Sequence, residues 1–317
     1  MKRATVTGAD GFVGQWLLRL LLDEGFEVTG LIRGATPALT TLAPDSAAQV
    51  TWRTLDLSNL EQAKAIFKAA SPDFLFHLAA QSSVPESIAH PLETIETNVS
   101  GTLNVLEAAR RCAPHASVLV VGSSDAYGVK SPESMPLRED APLDPRNPYA
   151  ASKAAAEIIA LQYAQSGWCR VIATRSFNHS GPGQSTRFAL AAFAKQIAEV
   201  RARRRPPHIR VGALEPRRDI TDVRDVVRAY VALAERGQSG AVYNVCSGHE
   251  RSMRQLLDEL IELAGIDVET IQDHALLRAA ETPLLVGDPG RIKREVGWQP
   301  EIELRRTLRD LLAYYAC

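Results

Sequence analysis

Short apolar runs alternate with amphipathic segments along the first half of the chain. The apolar and β-branched runs predict strands at Ala4–Thr7, Glu27–Ile32, Val50–Leu55, Phe74–Leu78, Ser117–Val121 and Val171–Thr174. Between them, apolar positions recur with helical spacing over about 11–24, 59–70, 93–111 and 149–166. Because the strands are apolar throughout and alternate with helices, we expect an α/β fold with a doubly wound parallel sheet covered on both faces.

The alternation of strands and helices ends after Arg175. A loop-like stretch over 178–184 precedes helical patterns at about 186–204, 223–236 and 252–264, with one more strand predicted at Tyr243–Cys246. We therefore expect a nucleotide-binding domain over 1–175 and a smaller C-terminal substrate lobe over 176–317. Within that lobe, about 217–246 is expected to return to the first sheet.

Composition excludes several classes of function. The 317 residues carry a formal net charge of -1, so we expect no nucleic-acid partner, and we interpret the arginines over 201–205 as a solvated helix end. The apolar run over 17–22 is interrupted by charges, so we expect no membrane span. Four dispersed cysteines, scattered histidines and a strand that begins at Ala4 predict a cytoplasmic protein without a metal site or a signal peptide.

Gly8, Gly11 and Gly14 follow the first predicted strand with the spacing G-x-x-G-x-x-G and open the first predicted helix. Glycines permit a tight turn and let a pyrophosphate approach the positive N-terminal end of the helix. The turn, which also contains Phe12 and Val13, predicts a dinucleotide-binding Rossmann fold. A glycine-rich turn without a ligand is the alternative.

The end of the second predicted strand bears on the choice of dinucleotide. A site selective for NAD usually has Asp or Glu there, whereas this chain has Arg33 and no acid. Arg33 could pair with a 2′-phosphate, so we expect NADP(H) to be favoured and NAD(H) to be possible, with a solvated arginine as the alternative. Residues after the next two strands are expected to line the same cofactor: Asp56, Leu57, Leu78, Ala79 and Ala80.

Tyr149 and Lys153 have the i,i+4 spacing that brings two side chains to one face of a helix. An ammonium beside a phenol stabilises the phenolate, so we expect the pKa of Tyr149 to fall below about 10 and the phenol to exchange protons. Ser123, just after the fifth predicted strand, could donate a hydrogen bond to the same substrate oxygen. A surface pair on a helix is the alternative reading of the spacing.

Together these residues resemble the extended short-chain dehydrogenase/reductase family of sugar-nucleotide epimerases, dehydratases and reductases. The resemblance also includes the runs 98–104, 123–128 and 147–148. It implies that Ser123 and Tyr149 bracket the reacting carbonyl oxygen and that Lys153 also holds the nicotinamide ribose. It further implies that Asn98 helps to shape the cofactor site, and that a homodimer forms through the helices near 93–111 and 149–166.

The second lobe looks most like that of GDP-4-keto-6-deoxy-mannose reductases, on the runs 175–184, 211–219 and 221–227. The similarity implies a substrate site formed by Ser82, Ser124, Asn178, Lys195, Val211, Arg218, Arg278 and Glu281. Arg218 suits a bidentate contact with a diphosphate, and Lys195 suits a point charge beside it. The chain departs from the reductase pattern after Arg278, where alanine stands in place of the usual proline.

These observations predict NAD(P)H-dependent reduction of the C4 keto group of a GDP-4-keto-6-deoxyhexose, giving a GDP-rhamnose type of product. Tyr149 would be the general acid. A 4,6-dehydratase or 4-epimerase with tightly bound NAD(P) is an alternative, since Asp125 stands where dehydratases keep a glutamate base. A second alternative is a Rossmann protein that senses the cofactor without catalysis.

Overall fold

The computed structural model describes residues 1–277 and 282–316. The strands are β1 (Arg3–Thr7), β2 (Glu27–Ile32), β3 (Thr51–Thr54), β4 (Phe74–His77), β5 (Ser117–Ser123), β6 (Arg170–Ser176), β7 (Asn178–Ser180), β8 (His208–Val211), β9 (Arg217–Asp222), β10 (Val242–Val245), β11 (Glu250–Ser252), β12 (Glu269–Gln272) and β13 (Leu284–Leu285). The helices are α1 (Phe12–Asp23), α2 (Pro44–Ala47), α3 (Leu60–Ala70), α4 (Val84–Ala89), α5 (Pro91–Ile95), α6 (Gly101–Cys112), α7 (Pro148–Gln165), α8 (Ala189–Arg201), α9 (Val223–Arg236), α10 (Met253–Ala264), α11 (Gly290–Val296) and α12 (Leu304–Ala316).

The expected α/β Rossmann fold is confirmed. Within the described chain, seven parallel strands form one sheet in the order β10-β6-β5-β4-β1-β2-β3. The order reverses between β1 and β4, where Thr7 is paired with Leu31 on one side and with His77 on the other. In open parallel sheets, ligands bind outside the carboxyl ends of the strands at such a reversal.

Helices cover both faces of the large sheet. On one face, α1 packs against α9, and the core between them includes Leu17, Leu21, Val226 and Tyr230. On the other face, α3, α6 and α7 enclose a second core around Phe67. The helix predicted over 93–111 is divided into α5, a π-helical turn over Glu96–Ser100, and α6.

The C-terminal part of the chain forms smaller sheets beside the large one. β9 pairs with β7, β11 and β13, while β8 pairs with β12. α8, α10 and α12 pack around a separate apolar core. Within the range 217–246, α9 and β10 lie on the large sheet, whereas β9 belongs to a smaller one. No helix in the described part of the chain is long and apolar enough to cross a membrane.

Candidate active site

The turn after β1 is built so that only glycine fits at two positions. Gly8 has a φ of 67°, and a Cβ on it would lie 3.0 Å from the Cα and N of Ala79. A Cβ on Gly14 would lie 2.3 Å from the carbonyl oxygen of Gly8. α1 then starts at Phe12 behind Gly11, which gives it no side-chain cap. The turn and the first N–H groups of α1, with Val13 among them, therefore fit the pyrophosphate of a dinucleotide.

Arg33 and Asp56 lie beyond the ends of β2 and β3, on the side of the turn where adenosine would bind. Both are exposed, and Arg33 is close enough to Asp56 to help lower the pKa of its carboxyl. The larger cause of that lowered pKa is hydrogen bonding from Ser58, whose N–H and hydroxyl donate to Asp56 Oδ1 at 2.9 and 2.8 Å. The carbonyl of Leu57 accepts from Asn104 Nδ2 at 2.8 Å.

A buried histidine connects the turn after β4 to β1 and α6. His77 lies 2.8 Å from Thr7 Oγ1 through Nδ1 and 3.0 Å from Thr102 Oγ1 through Nε2. The Thr102 hydroxyl donates to the Asn98 carbonyl at 2.6 Å, so its oxygen accepts from His77 Nε2–H. His77 Nδ1 consequently accepts from Thr7, whose oxygen accepts from the Ala79 N–H at 3.1 Å. Burial, helped by the charge of Lys153, lowers the pKa of His77 to about 3, which keeps the ring neutral.

Asn98 holds the same turn from the other side. Its Oδ1 accepts from the Gln81 N–H at 2.7 Å, and its Nδ2 donates to the Gln81 carbonyl at 2.9 Å and to Ser152 Oγ at 2.9 Å. The Asn98 side chain therefore fixes the main chain after β4. Leu78, Ala79 and Ala80 are half-buried there, and Ser82 is exposed.

Ser123 and Tyr149 meet at the carboxyl end of β5. The Ser123 hydroxyl and the Asp125 carboxylate are both close enough to act on the pKa of the Tyr149 phenol, which Ser123 lowers and Asp125 raises. Asp125 N–H donates to Ser123 Oγ at 3.2 Å, and Ser124 beside them is buried. The pKa of Tyr149 is raised, first by burial and then by Asp125, so the expected fall of that pKa is wrong in this structure. The phenol is accordingly neutral and carries its proton.

Lys153 lies one helical turn after Tyr149 on α7, as the spacing predicts. The residue is 9% exposed, and its ammonium donates to the carbonyl of Val121 at 2.7 Å. Burial lowers the pKa of Lys153 from 10.5 to about 8. A lysine of this pKa can gain or lose a proton close to neutral pH.

The loop before α7 packs against the Ser123–Gly128 segment and so fixes Tyr149 relative to Ser123. Asp144 N–H donates to the Ala126 carbonyl at 3.0 Å. A Cβ on Gly128 would lie 1.8 Å from the carbonyl oxygen of Asp144, which requires glycine there. Asn147 then caps α7 by accepting from the Ala150 N–H at 2.8 Å.

The substrate residues expected in the second lobe lie on several elements. Asn178 is exposed on β7, beside Ile220 of β9. Val211 is buried on β8, paired with Gln272 of β12, and Arg218 on β9 is paired with Leu285 of β13. The described segments on either side of residues 278–281 therefore run beside Val211 and Arg218. The predicted residues Arg278 and Glu281 lie outside the described residues.

Lys195 lies on α8, with its side chain 52% exposed and its ammonium 3.9 Å from Glu199. It lines an open surface groove together with Arg204, Tyr314 and Tyr315. In residues 1–277 and 282–316, no group of three His, Cys, Asp or Glu side chains is arranged to hold a metal ion.

Comparison with known proteins places the chain in a family. The family model described as GDP-mannose 4,6 dehydratase matches residues 5–311, which include the glycine turn, β5 and α7. The chain belongs to this family.

The proteins that this chain resembles are named for different activities. A GDP-6-deoxy-D-mannose reductase from Pseudomonas aeruginosa is 37% identical over 98% of this chain and 96% of its own length. A dTDP-glucose 4,6-dehydratase from Streptomyces griseus is 33% identical over 98% of this chain and 93% of its own. Among solved structures, RMD from Pseudomonas aeruginosa complexed with NADPH superposes with a TM-score of 0.85 at 35% identity, covering 100% of this chain and 99% of that one.

Two buried polar side chains of this family member were not among the predicted site residues. His77 ends a strand that was predicted from its apolar character, and a polar residue in such a run was the available signal. Gln15 follows Gly14 in α1 and is 2% exposed. Helical periodicity places Gln15 near the sheet, but the loop whose N–H groups it accepts is about 25 residues away in sequence, which no local pattern reveals.

Proposed function

We propose that the protein reduces the C4 keto group of a GDP-4-keto-6-deoxyhexose to a GDP-6-deoxyhexose with NADPH. The observation that carries the proposal is a neutral Tyr149 phenol beside Ser123, with buried Lys153 on the same helix. The substrate class is supported by 37% identity to a GDP-6-deoxy-D-mannose reductase over 98% of the chain.

The geometry supports a role for each of these side chains. In the proposed reaction, Ser123 and Tyr149 donate hydrogen bonds to the carbonyl oxygen of the sugar, and Tyr149 gives its proton to the oxygen as negative charge develops. Lys153 returns a proton to Tyr149 and, when the cofactor is bound, donates to its ribose. Bound reduced nicotinamide supplies the hydride that is delivered to C4.

The cofactor is proposed to be NADPH in preference to NADH. Arg33 is exposed just after β2, and its charge acts on the exposed carboxylate of Asp56. A guanidinium in this position can form a charge-assisted contact with a 2′-phosphate. Arg33→Ala should weaken the binding of NADPH by about 1–3 kcal/mol and leave the binding of NADH nearly unchanged. Equal losses for both cofactors in a binding titration would refute this reading.

A 4,6-dehydratase is the second candidate, because Asp125 lies beside Tyr149 with a carboxylate in reach of the same site. Reduction needs no base at C5, whereas dehydration does. Asp125→Asn should therefore keep most of the reductase activity, and the same change should be severe for a dehydratase.

Two incubations separate these functions. A reductase given GDP-4-keto-6-deoxy-mannose and NADPH consumes the cofactor in proportion to product, and a cofactor-sensing protein or an enzyme that recycles its cofactor does not. The control is GDP-mannose with NADP⁺ alone. Accumulation of the 4-keto-6-deoxy sugar in that control would refute the reductase proposal in favour of the dehydratase.

We also propose that the protein is a homodimer through the outer faces of α4–α7. These helices pack together and expose large apolar side chains, namely Ile88, Leu92, Ile95, Leu103 and Ile158. Exposed apolar clusters of this kind mark protein interfaces. Light scattering after gel filtration should give twice the chain mass, and Leu92→Glu with Ile158→Glu should give the monomer. A wild-type monomer would refute the proposal.

A further inference from the structure

Gln15 is a buried amide at the start of α1 whose carbonyl oxygen accepts three main-chain N–H groups. The donors are Thr40 N at 2.8 Å, Thr41 N at 2.9 Å and Leu42 N at 3.2 Å. Its Nε2 donates to the carbonyl of Asp10, within the glycine turn, at 2.8 Å. With only 2% of the residue exposed, water cannot replace these bonds, so the amide joins two separate loops.

The loop held by Gln15 directly follows Arg33. Residues 34–42, called segment 34–42 below, form neither helix nor strand. The segment therefore needs partners for its main-chain polar groups. Among the described contacts, Gln15 supplies the acceptor for residues 40–42, and Asp10 Oδ2 accepts weakly from Ala38 N at 3.4 Å. Gln15 thus holds the later part of the segment, while Thr54 Oγ1 donates to the Gly34 carbonyl at 3.0 Å at its start.

The opposite side of the same segment is also confined. A Cβ on Gly183 would lie 2.4 Å from Thr41 Cγ2, so the loop that follows Asn178 packs directly on it. Trp16, next to Gln15, donates from Nε1 to the Pro182 carbonyl at 3.0 Å. The segment therefore lies between α1 and this loop.

We propose that Gln15 is a positioning residue for cofactor selectivity, which fixes segment 34–42 relative to the glycine turn and so holds Arg33 where it meets a 2′-phosphate. The proposal rests on the proposed use of NADPH. Glutamine suits the position because one end accepts from the segment and the other donates to the turn. A carboxylate could do only the first, and an apolar side chain could do neither.

The test is cofactor binding without any sugar substrate, on Gln15→Leu and Gln15→Glu. Titrations followed by nicotinamide fluorescence give the Kd for NADPH and for NADH. Gln15→Leu should raise the Kd for NADPH by about tenfold or more, because several buried hydrogen bonds are lost. The Kd for NADH should rise by clearly less. Hydrogen exchange should show lost protection at the amides of residues 40–42 alone. General unfolding would instead lower protection throughout the chain.

Gln15→Glu keeps the acceptor and tests the proposal if Gln15→Leu does not fold. It should retain protection at residues 40–42 while losing the bond to Asp10, with a smaller but still NADPH-selective loss of affinity. Gln49→Leu is the matched control, because Gln49 is exposed and bonds only locally, to the Asp45 carbonyl at 3.2 Å. It should leave both Kd values unchanged.

Equal weakening of NADPH and NADH in both Gln15 variants would overturn the inference, as would unchanged NADPH affinity with protection lost. A wild type that binds NADH more tightly than NADPH would also overturn it. Turnover of the 4-keto sugar is measured separately. If the wild type binds NADPH selectively and the variants behave as expected but no sugar is reduced, only the proposed reaction is refuted.

Discussion

The buried ion pair between Glu157 and Arg175 offers a direct test of how α7 is held on the sheet. Glu157 lies one helical turn after Lys153, and Arg175 lies near the end of β6. The two form a bidentate contact, with Arg175 Nη2 at 2.7 Å from Glu157 Oε1 and Nε at 2.9 Å from Oε2. The Arg175 side chain is 7% exposed and the Glu157 side chain is 4% exposed. The pair therefore ties the helix that carries Tyr149 to the strand behind it.

The expected cost follows from burial. Glu157→Leu leaves the Arg175 guanidinium buried without the carboxylate that balances its charge. Its remaining contacts are the Glu139 carbonyl at 3.0 Å from Nη1 and the Tyr127 ring at 4.6 Å. Removing one partner of a buried pair costs about 3–5 kcal/mol of unfolding free energy. Arg175→Met should cost a similar amount by leaving the carboxylate. Replacing both residues removes both charges, so the double variant should be less destabilised than the sum of the single variants by about 2–3 kcal/mol.

Urea unfolding followed by circular dichroism measures these differences. The control is Glu61→Gln, which removes a surface i,i+3 pair with Lys64 and should cost less than about 1 kcal/mol. If Glu157→Leu costs no more than this control, the buried pair does not hold α7. Strict additivity in the double variant would likewise refute a direct interaction between Glu157 and Arg175.

Three further predictions concern the site itself. Tyr149→Phe should lower kcat by about 10²–10⁴-fold with an unchanged circular dichroism spectrum, and activity within a few-fold of wild type would remove the phenol from the mechanism. Gly14→Ala should abolish cofactor binding because its Cβ would lie 2.3 Å from the Gly8 carbonyl oxygen. Gly25→Ala is strained by a φ of 76° but has nothing within 4 Å of its Cβ, so it should lower stability and still retain binding; equal affinities would contradict this. Because burial lowers the pKa of Lys153 from 10.5 to about 8, the unfolded chain binds more protons between those values. The stability of wild type relative to Lys153→Met should therefore rise with pH from about 8 to 10.5, and a flat difference in urea midpoints would refute it.

The features that could be predicted are those whose cause is local in the chain. Strand–helix alternation predicted the parallel sheet, because an apolar run and a helical repeat are each properties of neighbouring residues. The spacing from Tyr149 to Lys153 predicted a shared helix face, since one helical turn fixes it. The helix predicted over 93–111 is interrupted by a π-helical turn that contains Asn98, whose side chain bonds Gln81 and Ser152, both distant in the sequence.

The sequence by itself determined the Rossmann fold, the glycine turn and the pairing of a tyrosine with a lysine, because these follow from spacing. Tertiary structure alone decided the direction of the pKa shift of Tyr149, which depends on burial and on the Asp125 charge. It also decided that Gln15 holds a loop about 25 residues away and that His77 is a neutral link between β1 and α6. Those properties depend on which distant groups exclude water from a side chain, and a linear pattern contains no information on that.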